Sequence, residues 1–294
     1  MKYPIIVGTD MTEASDDALI QAELRATRDG AALTVVHAMS PLVWSGDNEN
    51  ESVERLRGVI RKRVTALTGR PEDQYDVVVE RGLAHSVLAR LAISQHALLI
   101  VGSHMHHGVG HALLRDVTER VVQRARGPVL VMRASPASHR ILVAVKRPFN
   151  ACPALDVAIH EARVSGSKLA ILHSIHMGFL QTVATDLLNG GAYADQPLGL
   201  SSLVTDARQA LRAELGRRAF DADLYVVEGE PARLISEVAE RQNAELVIVG
   251  TAHRSTAMPP VTTAVLRHAP CSVLIVDDDS QVLAADVPMQ HASN

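Results

Sequence analysis

The chain repeats itself, and that repetition limits its architecture more than any other feature. Ile5-Ile6-Val7-Gly8-Thr9-Asp10 returns as Ile141-Leu142-Val143-Ala144-Val145-Lys146, an offset of 136 that also carries Gly30 onto Gly166 and His37 onto His173. Leu99-Ile100-Val101-Gly102 returns as Val247-Ile248-Val249-Gly250 at an offset of 148, so the second copy holds 12 additional residues in between. The closing runs Val129-Leu130-Val131 and Val273-Leu274-Ile275 are related by 144, which removes four residues from the second copy just after Gly250. Two domains of one architecture follow, in keeping with 294 residues at ~100–200 residues per domain.

Within the first copy, residues 4–9, 32–38, 75–80, 97–101 and 128–132 are apolar runs of strand length. Helical patterns at 13–29, 51–68, 84–95 and 116–126 separate them. Such alternation predicts a parallel sheet covered by helices. Thr12 and Ser15 stand before the first helix, Gly30 follows it, and Asp116-x-x-Glu119 reads as a capping box for the last one. The expected division is a first α/β domain over residues 1–134, a small-residue, proline-containing linker at 135–139, a second domain at 140–278 and a loosely ordered tail at 279–294.

Composition narrows the function classes. With 47% apolar and 21% charged residues the chain can bury two cores. A formal charge of −4 and 3% aromatic residues argue against a nucleic-acid groove, which needs clustered cations and stacking rings. No apolar stretch approaches the ~20 residues of a membrane span, and the Ile5-Ile6-Val7 run stops at Asp10, so no signal peptide is read. Two distant cysteines exclude a disulfide scaffold, and the expected address is the reducing cytoplasm. Neither half holds a G-x-S-x-G elbow, an H-E-x-x-H pair or a G-x-x-x-x-G-K-[ST] loop, and no catalysis is expected.

Two successive halves open with I-I-V-G-T-D and I-L-V-A-V-K, pass through V-V-H or I-L-H and V-G-S or V-G-T, and close with G-P-V-L-V-M or P-C-S-V-L-I-V. This arrangement resembles a tandem universal stress protein from Tyr3 to about Val276. The resemblance implies two consecutive five-stranded, Rossmann-like parallel-sheet domains flanked by helices and paired as a pseudo-symmetric dimer through their last strands. It also implies, for some members, an adenine nucleotide held by G-x-x-G, nine residues, then G-S or G-T, with an Asp closing the first strand. Glycines let backbone N–H groups approach phosphates, and the following helix N-terminus favours negative charge.

Residue by residue, the first half keeps Gly102 and Asp10 but has Met105 for the second glycine and Arg115-Asp116 for the distal pair. An aspartate placed where a phosphate would dock opposes it by ~4 kcal/mol per charge at ~4 Å and an effective dielectric of ~20. Gly108 and Gly110 offer flexibility by a shifted route, and Thr118 offers a hydroxyl. In the second half Gly250-Thr251 remains, His253 replaces the second glycine, Pro259-Pro260 replaces the distal pair and Lys146 replaces the aspartate. Prolines donate no N–H. The expected ligand is therefore an adenine nucleotide in the first domain, AMP, ADP or ATP with AMP or ADP favoured over ATP, and with the base in the crevice where strand order reverses. The candidate residues are Thr9, Asp10, Val36, Gly102, Ser103, Gly108, Gly110 and Thr118.

Other features compete. His104, His106, His107 and His111 are dense enough to chelate Zn or another transition metal, or else to form a polar loop over the crevice. His37 and His173 read as a shared packing solution. Cys152, ahead of Pro153 at a helix start, reads as either a redox-responsive thiol or an inert one, and Cys271 as buried. The segment from His176 to Val204 is more apolar than a solvent loop requires, and packs on its own sheet or serves as a lid or partner surface. The expectations are thus a non-catalytic stress-response protein with a degenerate nucleotide site, acting through ligand-dependent or partner binding, or alternatively a nucleotide-independent interaction or apolar-ligand module using residues 176–204. Metal handling is a third, and self-association into a homodimer or larger homo-oligomer through leftover sheet edges accompanies any of them.

Overall fold

A computed structural model describes residues 3–40, 49–103, 112–134, 137–175, 200–251 and 259–277. The chain forms two compact units. One comprises the sequence up to Ala134 together with the stretch beginning at Ser272, and the other runs from Ser135 to Thr251 with Pro259 to Cys271.

In the first unit, β1 (Ile5–Gly8), α1 (Glu13–Asp29), β2 (Leu33–Met39), α2 (Glu49–Thr68), β3 (Asp76–Arg81), α3 (Ala84–Gln95), β4 (Leu98–Gly102), α4 (Ala112–Arg124) and β5 (Val129–Met132) follow in order. The strands lie in the order β3-β2-β1-β4-β5, all parallel. The last strand among the described residues, β10 (Ser272–Asp277), adds to β5 antiparallel, with Leu274 opposite Leu130. Ser272 fastens this join, its Oγ accepting from the Arg133 N–H at 3.1 Å and donating to the Arg133 carbonyl at 3.2 Å.

The second unit holds β6 (Arg140–Ala144), α5 (Pro153–Ser165), β7 (Lys168–Ile175), α6 (Leu200–Arg217), β8 (Asp223–Glu228), α7 (Pro231–Arg241), β9 (Leu246–Thr251) and α8 (Pro260–His268). Its parallel order is β8-β7-β6-β9. The α/β class read from the alternation is the observed one. Ile6, Val7, Leu99 and Ile100 in one unit and Leu142, Val143, Val247 and Ile248 in the other are wholly buried. Continuous apolar runs are what strands covered on both faces require.

One boundary differs from the sequence reading. Helix α4 begins at Ala112, so Asp116 lies inside its second turn and the expected capping box is not the helix start. Ala112-Leu113-Leu114-Arg115 is strongly helix-forming and extends the helix upstream of the polar pair. Thr12 does occupy the N-cap of α1, but its hydroxyl donates to Asp10 rather than accepting from the helix.

In each unit an arginine ties the first helix to the second. Arg63 of α2 holds Asp16 of α1 at 2.5–2.7 Å, and Arg218, just beyond α6, holds Asp156 of α5 at 2.8 Å and also pairs with Glu214. The units also share a turn the sequence reading overlooked. Gly82 and Gly229 precede α3 and α7 with φ of +155° and +146°, and their N–H groups donate to Met39 and Ile175 at 3.0 Å. A Cβ on Gly82 would stand 2.9 Å from Val87, and one on Gly229 3.2 Å from Leu234. Both positions therefore require glycine by conformation and by space. Gly82→Ala and Gly229→Ala should each lower unfolding free energy by about 1–3 kcal/mol. Gly58→Ala, in the middle of α2 with nothing near its would-be Cβ, should raise it by about 0.5–1 kcal/mol. Urea unfolding of the three variants measures both signs.

Candidate functional site

In the first unit β1 is the point at which strand order reverses: β2 lies on one side of it and β4 on the other. The connections leaving these strands pass to opposite faces of the sheet and open a crevice beyond the carboxyl ends. A cavity of about 210 Å³ lies there. Its lining includes Thr9, Asp10, Val36, Gly102 and Thr118, five of the residues singled out in the sequence. Gly8, Ser15, Ala38, Ala84, Leu88, Val101, Val117 and Val121 complete it.

These additions have a signal in retrospect. Val36 and Ala38 share a face of β2 at strand spacing, while Ala84 with Leu88 and Val117 with Val121 are i, i+4 pairs on the two helices that cover that face. Gly8 matters by what it lacks. A Cβ there would meet Leu88 Cδ1 at 2.9 Å, driving that side chain from its place in the wall.

The polar end is a closed network. Thr9 and Ser15 hydroxyls lie 3.1 Å apart, the Met11 N–H donates to Thr9 Oγ1 at 3.0 Å, and Ser15 Oγ donates to the Thr12 carbonyl at 2.8 Å. Asp10 Oδ1 accepts from both the N–H and the hydroxyl of Thr12, at 3.0 and 2.6 Å. Met11, between them, has φ of 65°. The Thr9 N–H is engaged with the Val36 carbonyl at 2.9 Å. Recognition of a ligand at this point therefore falls to carbonyl lone pairs and side chains rather than to the Thr9 N–H.

Ser103 stands apart from the cavity lining. Its hydroxyl is 3.4 Å from Arg133 Nε, from which it accepts, and its N–H donates to Met132. Gly108 and Gly110 lie outside the described residues, as do His104, His106, His107 and His111 and nearly all of the 176–204 segment. Among the described residues no group of three or more His, Cys, Asp or Glu is placed to hold a metal ion. No described helix is long and apolar enough to cross a membrane.

A model of the universal stress protein family matches residues 2–133 and again residues 137–277. The chain belongs to the universal stress protein family. A universal stress protein of Mycolicibacterium smegmatis is 31% identical over 138 residues, 45% of this chain and 46% of that protein. The chain thus spans about half the length of the mycobacterial relative it matches. A universal stress protein of Thermus aquaticus is 29% identical over 135 residues, 44% of this chain and 97% of its own length. Among solved structures, a universal stress protein from Archaeoglobus fulgidus gives a TM-score of 0.67 at 16% identity, covering 94% of this chain and 96% of its own. At that identity the likeness concerns the fold.

Against the universal stress protein frame, the paired histidines are structural. His37 Nδ1 lies 2.8 Å from the Thr9 carbonyl, and His173 Nδ1 lies 3.0 Å from the Val145 carbonyl. A carbonyl only accepts, so Nδ1 carries the proton in both rings. His173 also meets the Phe149 ring edge-on at 4.9 Å, and the Arg147 guanidinium stands 5.3 Å over the same phenyl. Burial pushes the His173 imidazole below its usual range; the bond to Val145 opposes this and the charge of Arg147 adds to it. The unfolded imidazole takes its proton near pH ~6.5. The stabilisation is therefore present above that pH and is lost as pH falls through it, because the unfolded state binds the proton more readily. Between about pH 7.5 and about pH 5.5, the wild type should lose stability more steeply than His173→Gln, as followed by chemical denaturation.

Proposed function

We propose that this universal stress protein is a non-catalytic binder of an adenine nucleotide in the crevice of its first unit, AMP or ADP in preference to ATP, and that the bound state alters its affinity for a protein partner. The observation that carries this reading is the cavity itself. It lies beyond the carboxyl ends of β1, β2 and β4 at the switch point, the location where open α/β sheets take their ligands.

The walls suit a base and sugar. Val36, Ala38, Leu88, Val101, Val117 and Val121 offer apolar surface to a planar ring, with Asp10, Ser15 and Thr118 at hand for hydroxyls. The missing side chain at Gly8 keeps Leu88 in the wall rather than in the void.

No chemical step is assigned to the cavity in this reading. The Ser15 hydroxyl is held by Thr9 and the Thr12 carbonyl rather than by a base that would activate it. Cys152 and Cys271 are both buried and neither is joined in a disulfide, in keeping with a reducing cytoplasm as the working compartment. Residues 1–134 and 140–278 serve as the two repeats, the second mainly structural.

Isothermal titration calorimetry tests the proposal. AMP and ADP should bind with measurable heat at millimolar ligand. Gly8→Val, which places branched carbon against Leu88, should weaken that binding by about tenfold or more with the fold retained by circular dichroism. Absence of heat for AMP, ADP and ATP would remove the reading.

A further inference from the structure

Resting on the adenine reading, we infer that Arg133, aimed by Ser103, supplies the positive charge that meets the phosphate nearest the ribose when a nucleotide occupies the first-unit crevice. Strand register puts the residue on the right face. Val101 of β4 lines the cavity and stands opposite Val131 of β5. Side chains opposite one another in paired strands share a face, and every second residue returns to it. Ser103 and Arg133, each two residues further on, therefore leave the carboxyl ends of β4 and β5 on the face of the sheet that carries the cavity. Ser103 then sets a direction. Its hydroxyl accepts from Arg133 Nε at 3.4 Å, so the arginine stem leans from the end of β5 towards the end of β4, where Val101 and Gly102 form part of the cavity wall.

The fold does not account for an arginine at this position. The bonds from Ser272 that fasten β10 go to the N–H and carbonyl of Arg133, main-chain groups that almost any residue would offer. At the offset of 144 that relates the closing runs, the second copy ends its last strand with Asp277, which is buried as Arg133 is. The repeated architecture thus accepts the opposite charge there. With the side chain removed from bulk water, a guanidinium acts on an anion through a lower effective dielectric than at an open surface. Its planar fork of N–H donors also matches two oxygens of one phosphate.

Adenosine and AMP, which differ by the phosphate alone, are titrated calorimetrically into the full chain, free of magnesium. The wild type should bind AMP about tenfold or more tighter than adenosine. Arg133→Gln keeps a long polar side chain and removes the charge. It should bring AMP to within about threefold of adenosine, with adenosine itself within about twofold of its wild-type affinity. Ser103→Ala leaves the charge and removes what aims it, and should cut the AMP advantage by about threefold; this variant carries the test if Arg133→Gln fails to fold. AMP no tighter than adenosine in the wild type overturns the inference while leaving adenine binding in place. So does an AMP advantage unmoved in Arg133→Gln, or in Ser103→Ala where that variant stands in. Equal weakening of AMP and adenosine in a folded Arg133→Gln assigns the arginine to structure and overturns the inference too. Failure of both ligands to bind the wild type overturns the adenine reading with it.

Discussion

The site depends on one constraint, which is that β1 is paired on both edges to parallel strands. Ile5, Ile6 and Val7 stand opposite Leu33, Thr34 and Val35 on one side and opposite Leu98, Leu99 and Ile100 on the other. Parallel neighbours cannot be joined by a hairpin, so each returns through a helix, and right-handed crossovers send the helices to opposite faces when the neighbours lie on opposite edges. The gap between those faces is the crevice. Nothing about a ligand is needed to create it; the ligand uses a space that connectivity leaves.

How much of this could be read from residues alone varies with the kind of evidence each element leaves. Strands such as Leu99-Ile100-Val101 are legible because burial on both faces demands an uninterrupted apolar run. Asp10 and Gly102 are legible because strand ends facing a crevice carry polar or small residues where a core would not. The walls were not. Leu88 and Val121 sit on the inward stripe of amphipathic helices, and a residue lining a void has the same spacing as one lining a core. The start of α4 was misplaced for a related reason: Asp116 and Glu119 match a cap in sequence, but the preceding Ala-Leu-Leu-Arg has enough helix propensity to continue through it. Gly82 and Gly229 stand just before α3 and α7 but are related by 147, an offset that neither the opening runs nor the Leu99 and Val247 runs share.

The two copies separate what a backbone requires from what a cavity requires. The positive-φ turns at Gly82 and Gly229 recur, as do the histidine bonds from His37 to Thr9 and from His173 to Val145. Each satisfies a main-chain group at a strand end, a need independent of what the crevice holds. Val101 and Gly102 recur as Val249 and Gly250, but the residues at the β1 end of the first cavity do not. Gly8, Thr9, Asp10 and Ser15 correspond to Ala144, Val145, Lys146 and Ala151.

That pattern bears on why the first copy keeps its polar network. Thr9 and Ser15 are buried and bonded to each other. Removing one hydroxyl of such a pair would strand the other at a cost of about 1–3 kcal/mol, whereas replacing both by apolar groups of similar shape is nearly neutral. The second copy has neither hydroxyl: Val145, which is buried, and Ala151, which is exposed, stand in the matching positions. In the first copy the Met11 N–H on Thr9 and the Thr12 bonds to Asp10 continue the network, which holds the Asp10 carboxylate in a set direction at the mouth of the cavity. In the copy that ends its strand with Lys146 there is no carboxylate to direct, and the hydroxyls that would direct it are absent as well.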